Sequence, residues 1–250
     1  MGTCTVAILT KNEENHILDA IASAKPCAEQ ILVVDSGSTD HTVPLAREAG
    51  ADVVHRDWDN DFAAQRNFAL QQAAGDWILY LDADERMTPE LVREVNKIKA
   101  GALDHQYSFK RINRAFGHQF HFGAFGPDRV KRLFPRDTVE WVGKVHERPE
   151  CRLPLKELPE ALLHETYDSY QEWWDKAGKY TSLWAEEAWT RGRRATAGAA
   201  VRHALGGMVK VYLLQGGFLE GSRGFIAMLQ HGLYTAVKYM KLVEKQQEKK

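Results

Sequence analysis

Cysteine is scarce: Cys4, Cys27 and Cys151 are the three in 250 residues, and no two stand in C-x-x-C spacing. An odd, sparse set fits a reducing cytosol and not a disulfide scaffold. Long apolar runs are missing too. No stretch approaches 18 residues, so no membrane-crossing helix is expected. The apolar run at 6–9 ends after four residues, before Lys11-Asn12-Glu13-Glu14, so no signal peptide is expected there. With 8 Pro and 19 Gly the chain is neither collagen-like nor Pro-rich, and a formal charge of −1 argues against a uniformly basic nucleic-acid binder. What is present is ordinary for a soluble, well-cored chain: 44% hydrophobic and 27% charged residues.

The charge is unevenly spread. Residues 1–110 hold 10 Lys and Arg against 18 Asp and Glu, a net of −8; residues 191–250 hold 11 against 3, a net of +8. An acidic head and a basic tail suggest different partners for the two ends.

Up to about residue 104, short β-branched runs alternate with helical spacing. Residues 5–10 (TVAILT), 31–34 (ILVV), 53–54 and 77–81 (WILYL) read as buried strands. Between them, Asn12 is expected to cap a helix carrying Ile17 and Ile21, Asp40 another through Ala49, and Asp61 a third from 62 to 74. Gly75 would then be a left-handed helix end. Thr88-Pro89-Glu90 opens a fourth helix, closed by Gly101. This pattern predicts an α/β fold with a mostly parallel, Rossmann-like sheet. Ligands of such sheets lie beyond the carboxyl ends of the strands. Residues 11–14, 35–40, 55–61 and 82–85 fall there.

Beyond residue 104 the pattern changes. Residues 105–112, 130–134 and 139–142 read as mixed or antiparallel strands, and 116–126 (FGHQFHFGAFG) as a Gly- and aromatic-rich loop. Helices are expected over 168–191, 197–216 and 224–244, broken near Gly216-Gly217 and Gly221. The expected organisation is a catalytic domain over 1–165, in halves 1–104 and 105–165, followed by a helical extension over 166–250.

Four clusters carry chemistry. Asp82-Ala83-Asp84-Glu85 leaves an apolar strand, and two carboxylates two residues apart can hold a hard divalent cation whose other positions go to water and phosphate. A solvated turn before the Thr88 helix would have the same composition. Asp35-Ser36-Gly37-Ser38-Thr39-Asp40 offers a strand-end carboxylate for a uracil N–H or a ribose hydroxyl, or else a helix-capping turn. Arg66 and Asn67 open a helix, where Arg66 can pair with a phosphate or carboxylate or lie on a solvated face. In Gly143-Lys144-Val145-His146-Glu147, Glu147 is a candidate base and His146 a candidate helper; an ordinary surface loop is the alternative.

Taken in order and spacing, Thr10-Lys11-Asn12-Glu13-Glu14, Val34-Asp35-Ser36-Gly37-Ser38-Thr39-Asp40, Gln65-Arg66-Asn67 and Asp82-Ala83-Asp84-Glu85 resemble the family-2 glycosyltransferases, inverting enzymes of the GT-A nucleotide-diphospho-sugar fold. Arg132-Leu133-Phe134, Val145-His146-Glu147 and Gly216-Gly217-Phe218-Leu219-Glu220-Gly221 extend the resemblance to the bacterial lipopolysaccharide-core β-1,4-glucosyltransferases. The resemblance implies a UDP-sugar donor bound through Thr10, Asn12, Glu13, Asp35, Ser38, Arg66, Asp82, Ala83 and Asp84, with Asp35 on the uracil. It implies Mg²⁺ or Mn²⁺ on Asp84, with Asp82 acting on the ribose or through a metal-bound water; His164 is either a further metal or diphosphate ligand or a satisfied buried histidine. Glu147 takes the place of the catalytic base, where many members have Asp within a Glu-Asp pair. A saccharide acceptor of the lipopolysaccharide core is implied, at the cytoplasmic face of the bacterial inner membrane.

The basic tail has two readings. Leu205, Met208, Val209, Tyr212 and Leu213 form one apolar stripe, and Phe225, Met228, Leu229, Leu233, Val237 and Met240 another, with Arg and Lys nearby. These faces either pack on protein or lie on an anionic membrane. Rival activities are a polyprenyl-phosphate sugar transferase, a nucleotidyltransferase and a non-catalytic nucleotide-binding membrane adaptor.

Overall fold

The computed structural model describes residues 2–143 and 147–247. The chain forms two compact units, residues 1–111 with 128–164, and residues 112–127 with 165–250. The second unit thus contains the 112–127 segment that the sequence assigns to a domain over 1–165.

The first unit is α/β. Its strands are β1 (Cys4–Thr10), β2 (Gln30–Asp35), β3 (Asp52–His55), β4 (Trp77–Asp82), β5 (Glu85–Met87), the first part of β6 (Gln106–Ala115), β8 (Asp128–Pro135) and most of β11 (Leu155–Tyr167); a separate ribbon pairs β9 (Val139–Val142) with β10 (Arg148–Cys151). The sheet order is β3-β2-β1-β4-β8-β6-β11-β5. The first four strands are parallel, while β8 runs antiparallel to β4 and β6, and β5 antiparallel to β11.

Strand alternation explains the two-sided core. Val6, Ile8, Val33, Leu79 and Leu81 face one side, with Ile17 and Ile21 of α1 (Ile17–Ala24) and Leu91 and Val95 of α4 (Pro89–Ile98). Ala7, Leu32, Val34, Ile78 and Tyr80 face the other, with Ala63 and Ala69 of α3 (Phe62–Gln72). Each fully buried Ile or Leu contributes about 1.5–3 kcal/mol relative to exposure, so reversing either face by a register slip would forfeit most of the core.

The local signals were met unevenly. Asp61 caps α3 through Ala64 N–H, and Thr88 caps α4 through Leu91 N–H. Asn12 is no helix cap. It takes a left-handed φ of 56°, and α1 starts five residues later after a turn in which Glu13 O accepts from His16 and Ile17. Asp40 precedes α2 (Thr42–Glu48), whose capping position is His41, and accepts from Thr42 N–H and its hydroxyl instead. Gly75 is not among the left-handed glycines; a Cβ there would stand 2.6 Å from Thr5 N, so the position needs glycine for close backbone approach.

The second unit contains the ends of β6 and β11, β7 (His118–Gln119), α5 (Tyr170–Thr190), α6 (Ala197–Val209) and α7 (Gly221–Gln247). Residues 116–126 are not simply a loop. Phe116 and Gly117, with φ of 53° and 70°, form the two-residue turn of a hairpin that pairs Ala115 with His118. Phe116 stacks on Tyr170 at 4.2 Å, and Phe120 and Phe125 pack with Ala227. Between α6 and α7 lie one π-helical turn, Lys210–Leu214, and a 3₁₀ turn, Gly217–Glu220, bracketed by left-handed Gly216 and Gly221.

Candidate active site

The register of the parallel strands sets the first unit's site. Thr10 of β1 pairs with Asp35 of β2, and Leu9 pairs with Asp82 of β4. Two carboxylates therefore flank the carboxyl end of the central strand, where an open α/β sheet binds ligands.

Around Asp35 the strand-end loops are stitched together. Its carboxylate accepts from Gly37 N–H at 3.0 Å and Ser38 N–H at 3.1 Å, and His55 Nδ1 lies 3.5 Å away. Ser38 Oγ accepts from Asn12 N–H, Asn12 Oδ1 from Thr39 N–H, and Thr42 Oγ1 from Glu13 N–H. Thr10 contributes its carbonyl to Ser36 N–H, while its hydroxyl is buried without a partner among the described residues. Thr10, Asn12, Glu13, Asp35 and Ser38 are thus brought together, with Asp35 buried and occupied in shaping its own turn.

Around Asp82 the geometry is ionic. Arg66 Nη2 donates to Oδ1 at 3.0 Å and Arg132 Nη2 donates to Oδ2. The same Arg132 nitrogen reaches Glu85 Oε1 at 2.8 Å, and Glu85 also accepts from Asp82 N–H and from Arg111. Arg66 is held flat by aromatic faces, 4.7 Å from the Trp141 ring centre and 5.7 Å from Tyr80. Burial opposes charge on Asp82, yet attraction by Arg132 and then Arg66 holds its carboxyl far below the usual range. Asp82 is therefore paired with two arginines at the end of β4. Ala83, in the same turn, offers its carbonyl to Arg86.

Arg66 also brings in Glu147. Its Nε points to Glu147 Oε1 at 3.4 Å, across 81 positions of sequence. Asn67 anchors the neighbouring strand by exchanging two bonds with the Trp141 backbone, at 2.8 and 2.9 Å. Arg66, Asp82, Arg132, Trp141 and Glu147 line one cavity of about 250 Å³, with Arg111 and Lys131 at its wall. Arg66 Nη1 and Arg132 Nε are buried there without partners among the described residues. The arrangement presents fixed guanidinium groups and one lightly held carboxylate, a setting for a bound anion and a proton transfer. His146 lies outside the described residues.

Asp84 points elsewhere, to His164 Nε2 at 3.4 Å, with its side chain 20% exposed and that of His164 14%. A carboxylate oxygen and an imidazole nitrogen this close fit a two-ligand protein share of a divalent site completed by phosphate and water. No cluster of three or more metal-ligating side chains occurs among the described residues.

Sequence reading missed Arg111 and gave no role to His55 or to Arg132, which it quoted only within Arg132-Leu133-Phe134. Arg132 is also a cation within the apolar strand run Val130-Lys131-Arg132-Leu133-Phe134. His55 follows two valines at a strand end paired with Asp35.

Comparison with known proteins gives the family. The sequence model described as "Glycosyl transferase family 2" matches residues 5–146, more than half of the chain. An uncharacterized glycosyltransferase of Rickettsia felis is 26% identical, over 98% of this chain and 89% of its own length. The glycosyltransferase SunS of Bacillus subtilis is 31% identical, over 59% of this chain and 35% of its own. Among solved structures, Mycobacterium tuberculosis glucosyl-3-phosphoglycerate synthase with Mn²⁺, UDP and glucosyl-3-phosphoglycerate is 27% identical over 45% of this chain and 44% of that one, with a TM-score of 0.38. With its parallel strands, strand-end carboxylates and C-terminal helices, the chain belongs to glycosyltransferase family 2.

Proposed function

We propose that the protein moves a hexose, glucose in the first instance, from a UDP-sugar to a saccharide acceptor of the lipopolysaccharide core, by a single inverting displacement. The observation that carries this reading is the placement of Glu147 in one cavity with the strand-end Asp82, both tied to Arg66. Asp35 and its stitched loops hold the pocket wall for the nucleoside. Asp84 and His164 would hold Mg²⁺ or Mn²⁺, Mn²⁺ better suiting the imidazole. Such an ion neutralises charge on a departing diphosphate.

The chain's own residues then do the following. Glu147 accepts the proton of an acceptor hydroxyl. That oxygen forms a bond to the anomeric carbon while the bond from that carbon to the β-phosphate oxygen breaks, and UDP leaves. The guanidinium groups of Arg66 and Arg132, held by Asp82 and Glu85 at the cavity wall, are fixed before the reaction, so their charge favours developing negative charge without reorganising.

Glu147→Gln is expected to lower turnover about 10²–10⁴-fold with donor binding unchanged. UDP release with purified lipopolysaccharide core as acceptor reads the first effect, and calorimetry with UDP the second. Near-normal turnover would remove Glu147 from the reaction. Asp84→Ala is expected to abolish the Mn²⁺ dependence of UDP binding; an unchanged metal titration would place the ion elsewhere.

A further inference from the structure

The α6–α7 hairpin has a seam and a separate outer face. Ala200 and Ala204 of α6 and Gly232 of α7 are buried small residues of this hairpin. A Cβ on Gly232 would stand 2.6 Å from Met208 Sδ, and one on Gly207 3.0 Å from His231 Nε2. His203 stacks on Tyr239 at 4.5 Å. The matched positions rise on one helix as they fall on the other, so the helices are antiparallel.

Away from the seam, Val201, Leu205 and Val209 recur at four-residue spacing, 51–58% exposed. On α7, Phe225, Leu229, Leu233 and Met240 are 43–60% exposed. At about 100° per residue, both stripes lie roughly a third of a turn from their seam, in the same rotational sense. In an antiparallel pair, equal offsets of one sense point to the same side. The two stripes therefore form one broad apolar face. The closed end of the hairpin extends it with Leu213, Phe218, Leu219 and Leu214, the last 80% exposed. The adjoining flank of α7 is covered by α5: Leu233 shares a pocket there with Trp173 and Trp174, and Lys241 Nζ donates to Gly178 O, Thr181 Oγ1 and Ser182 Oγ.

A contiguous apolar face of this kind marks an interaction surface, and charge identifies what covers it. Residues 197–243 hold five cations against a single acid, Glu220; Lys241 is taken up by α5, Lys238 lies over the Trp184 ring and Arg223 meets His118, while Arg202 and Lys210 are exposed. That acid is occupied by His118 Nε2 and by the N–H groups of His121 and Phe122. A second copy would bring one net charge of +8, that of residues 191–250, against another. An anionic leaflet attracts the same cations. No helix among the described residues is long and apolar enough to cross a membrane, which leaves an in-plane arrangement.

We propose that this face is an interfacial membrane anchor. It lies on anionic phospholipid with the Leu213–Leu219 end of the hairpin entering the acyl boundary and the basic residues meeting headgroups. Contact with a lipid surface is independent of the sugar transferred, so its failure and the failure of the proposed activity are separable.

The test is flotation of the full chain with phosphatidylcholine vesicles, with and without phosphatidylglycerol. Binding to the anionic vesicles is expected, weakening as salt rises. Leu214→Ser with Leu219→Ser should lower partitioning roughly a hundredfold, about tenfold for each lost leucine. Both side chains are exposed, and an unchanged thermal midpoint verifies that the fold persists. Arg202→Glu with Lys210→Glu should remove the salt-sensitive part of binding. Absence of flotation at low salt would overturn the proposal, as would undiminished flotation of the leucine variant. A dimer in light scattering that dissociates with Leu205→Glu, without vesicle binding, would assign the face to a second copy.

Discussion

At the residue scale, Arg132 is the most consequential side chain to which the sequence alone assigned no role. It is 4% exposed and joins Asp82 to Glu85, itself fully buried. A buried ion pair adds little net stability, but removing one partner strands the other charge. Arg132→Leu is therefore expected to destabilise the fold by about 3–5 kcal/mol, read as a lower urea midpoint. A midpoint equal to the parent's would mean that Arg111 and the Asp82 N–H satisfy Glu85 unaided. Asp82, Asp84 and Glu147 were legible because acids after an apolar strand, or in a loop of this family's order, stand out. Their pairings were not legible: Arg66 and Glu147 are 81 positions apart, and nothing local shows which of Asp82 and Asp84 meets arginine and which meets histidine.

At the element scale, two glycines of the second unit separate backbone space from helix propensity. A Cβ on Gly224 would overlap the carbonyl oxygen of Gly217, whereas one on Gly206, inside α6, meets nothing within 4 Å. Gly224→Ala should cost about 1–3 kcal/mol by overpacking. Gly206→Ala should stabilise by about 0.5–1 kcal/mol, since alanine is the better helix former. Thermal melts of both variants check the opposite signs. Glu220 supplies a pH test of the same region. Burial raises its pKa, but the bonds from His118, His121 and Phe122 lower it to a net value below the usual 4.5. A depressed carboxyl favours the fold above its unfolded pKa and loses that contribution as pH falls through the lower folded value. Between about pH 6 and pH 3, Glu220→Gln should show a shallower fall in thermal midpoint than the parent; parallel curves would remove Glu220 from the acid response. The helix caps Asp61 and Thr88 were legible because their bonds are local. Strands β5 and β11 were not, because Glu85–Met87 reads as a turn until Leu162–His164 arrives to pair with it.

At the scale of the whole molecule, chain order and compact unit part company. The alternating first hundred residues foretold the parallel strands because each β-α-β step is local. The return of β8 and β11 to that sheet, and the grouping of 112–127 with the helices of the second unit, depend on pairings that periodicity does not encode. Cutting the chain after residue 165 would therefore not remove a self-contained extension. It would leave Phe116, Phe120 and Phe125 without Tyr167 and Ala227, with which they share a core, and the Phe116 ring without Tyr170. Newly exposed aromatic surface binds hydrophobic dyes and drives association. A chain ending at 165 is thus expected to bind anilinonaphthalene sulfonate strongly and to elute as aggregate, while its parallel strands retain their circular dichroism. A monodisperse, dye-silent fragment would show instead that the 112–127 hairpin holds its aromatics without the helices, and that residue 165 is a true domain boundary.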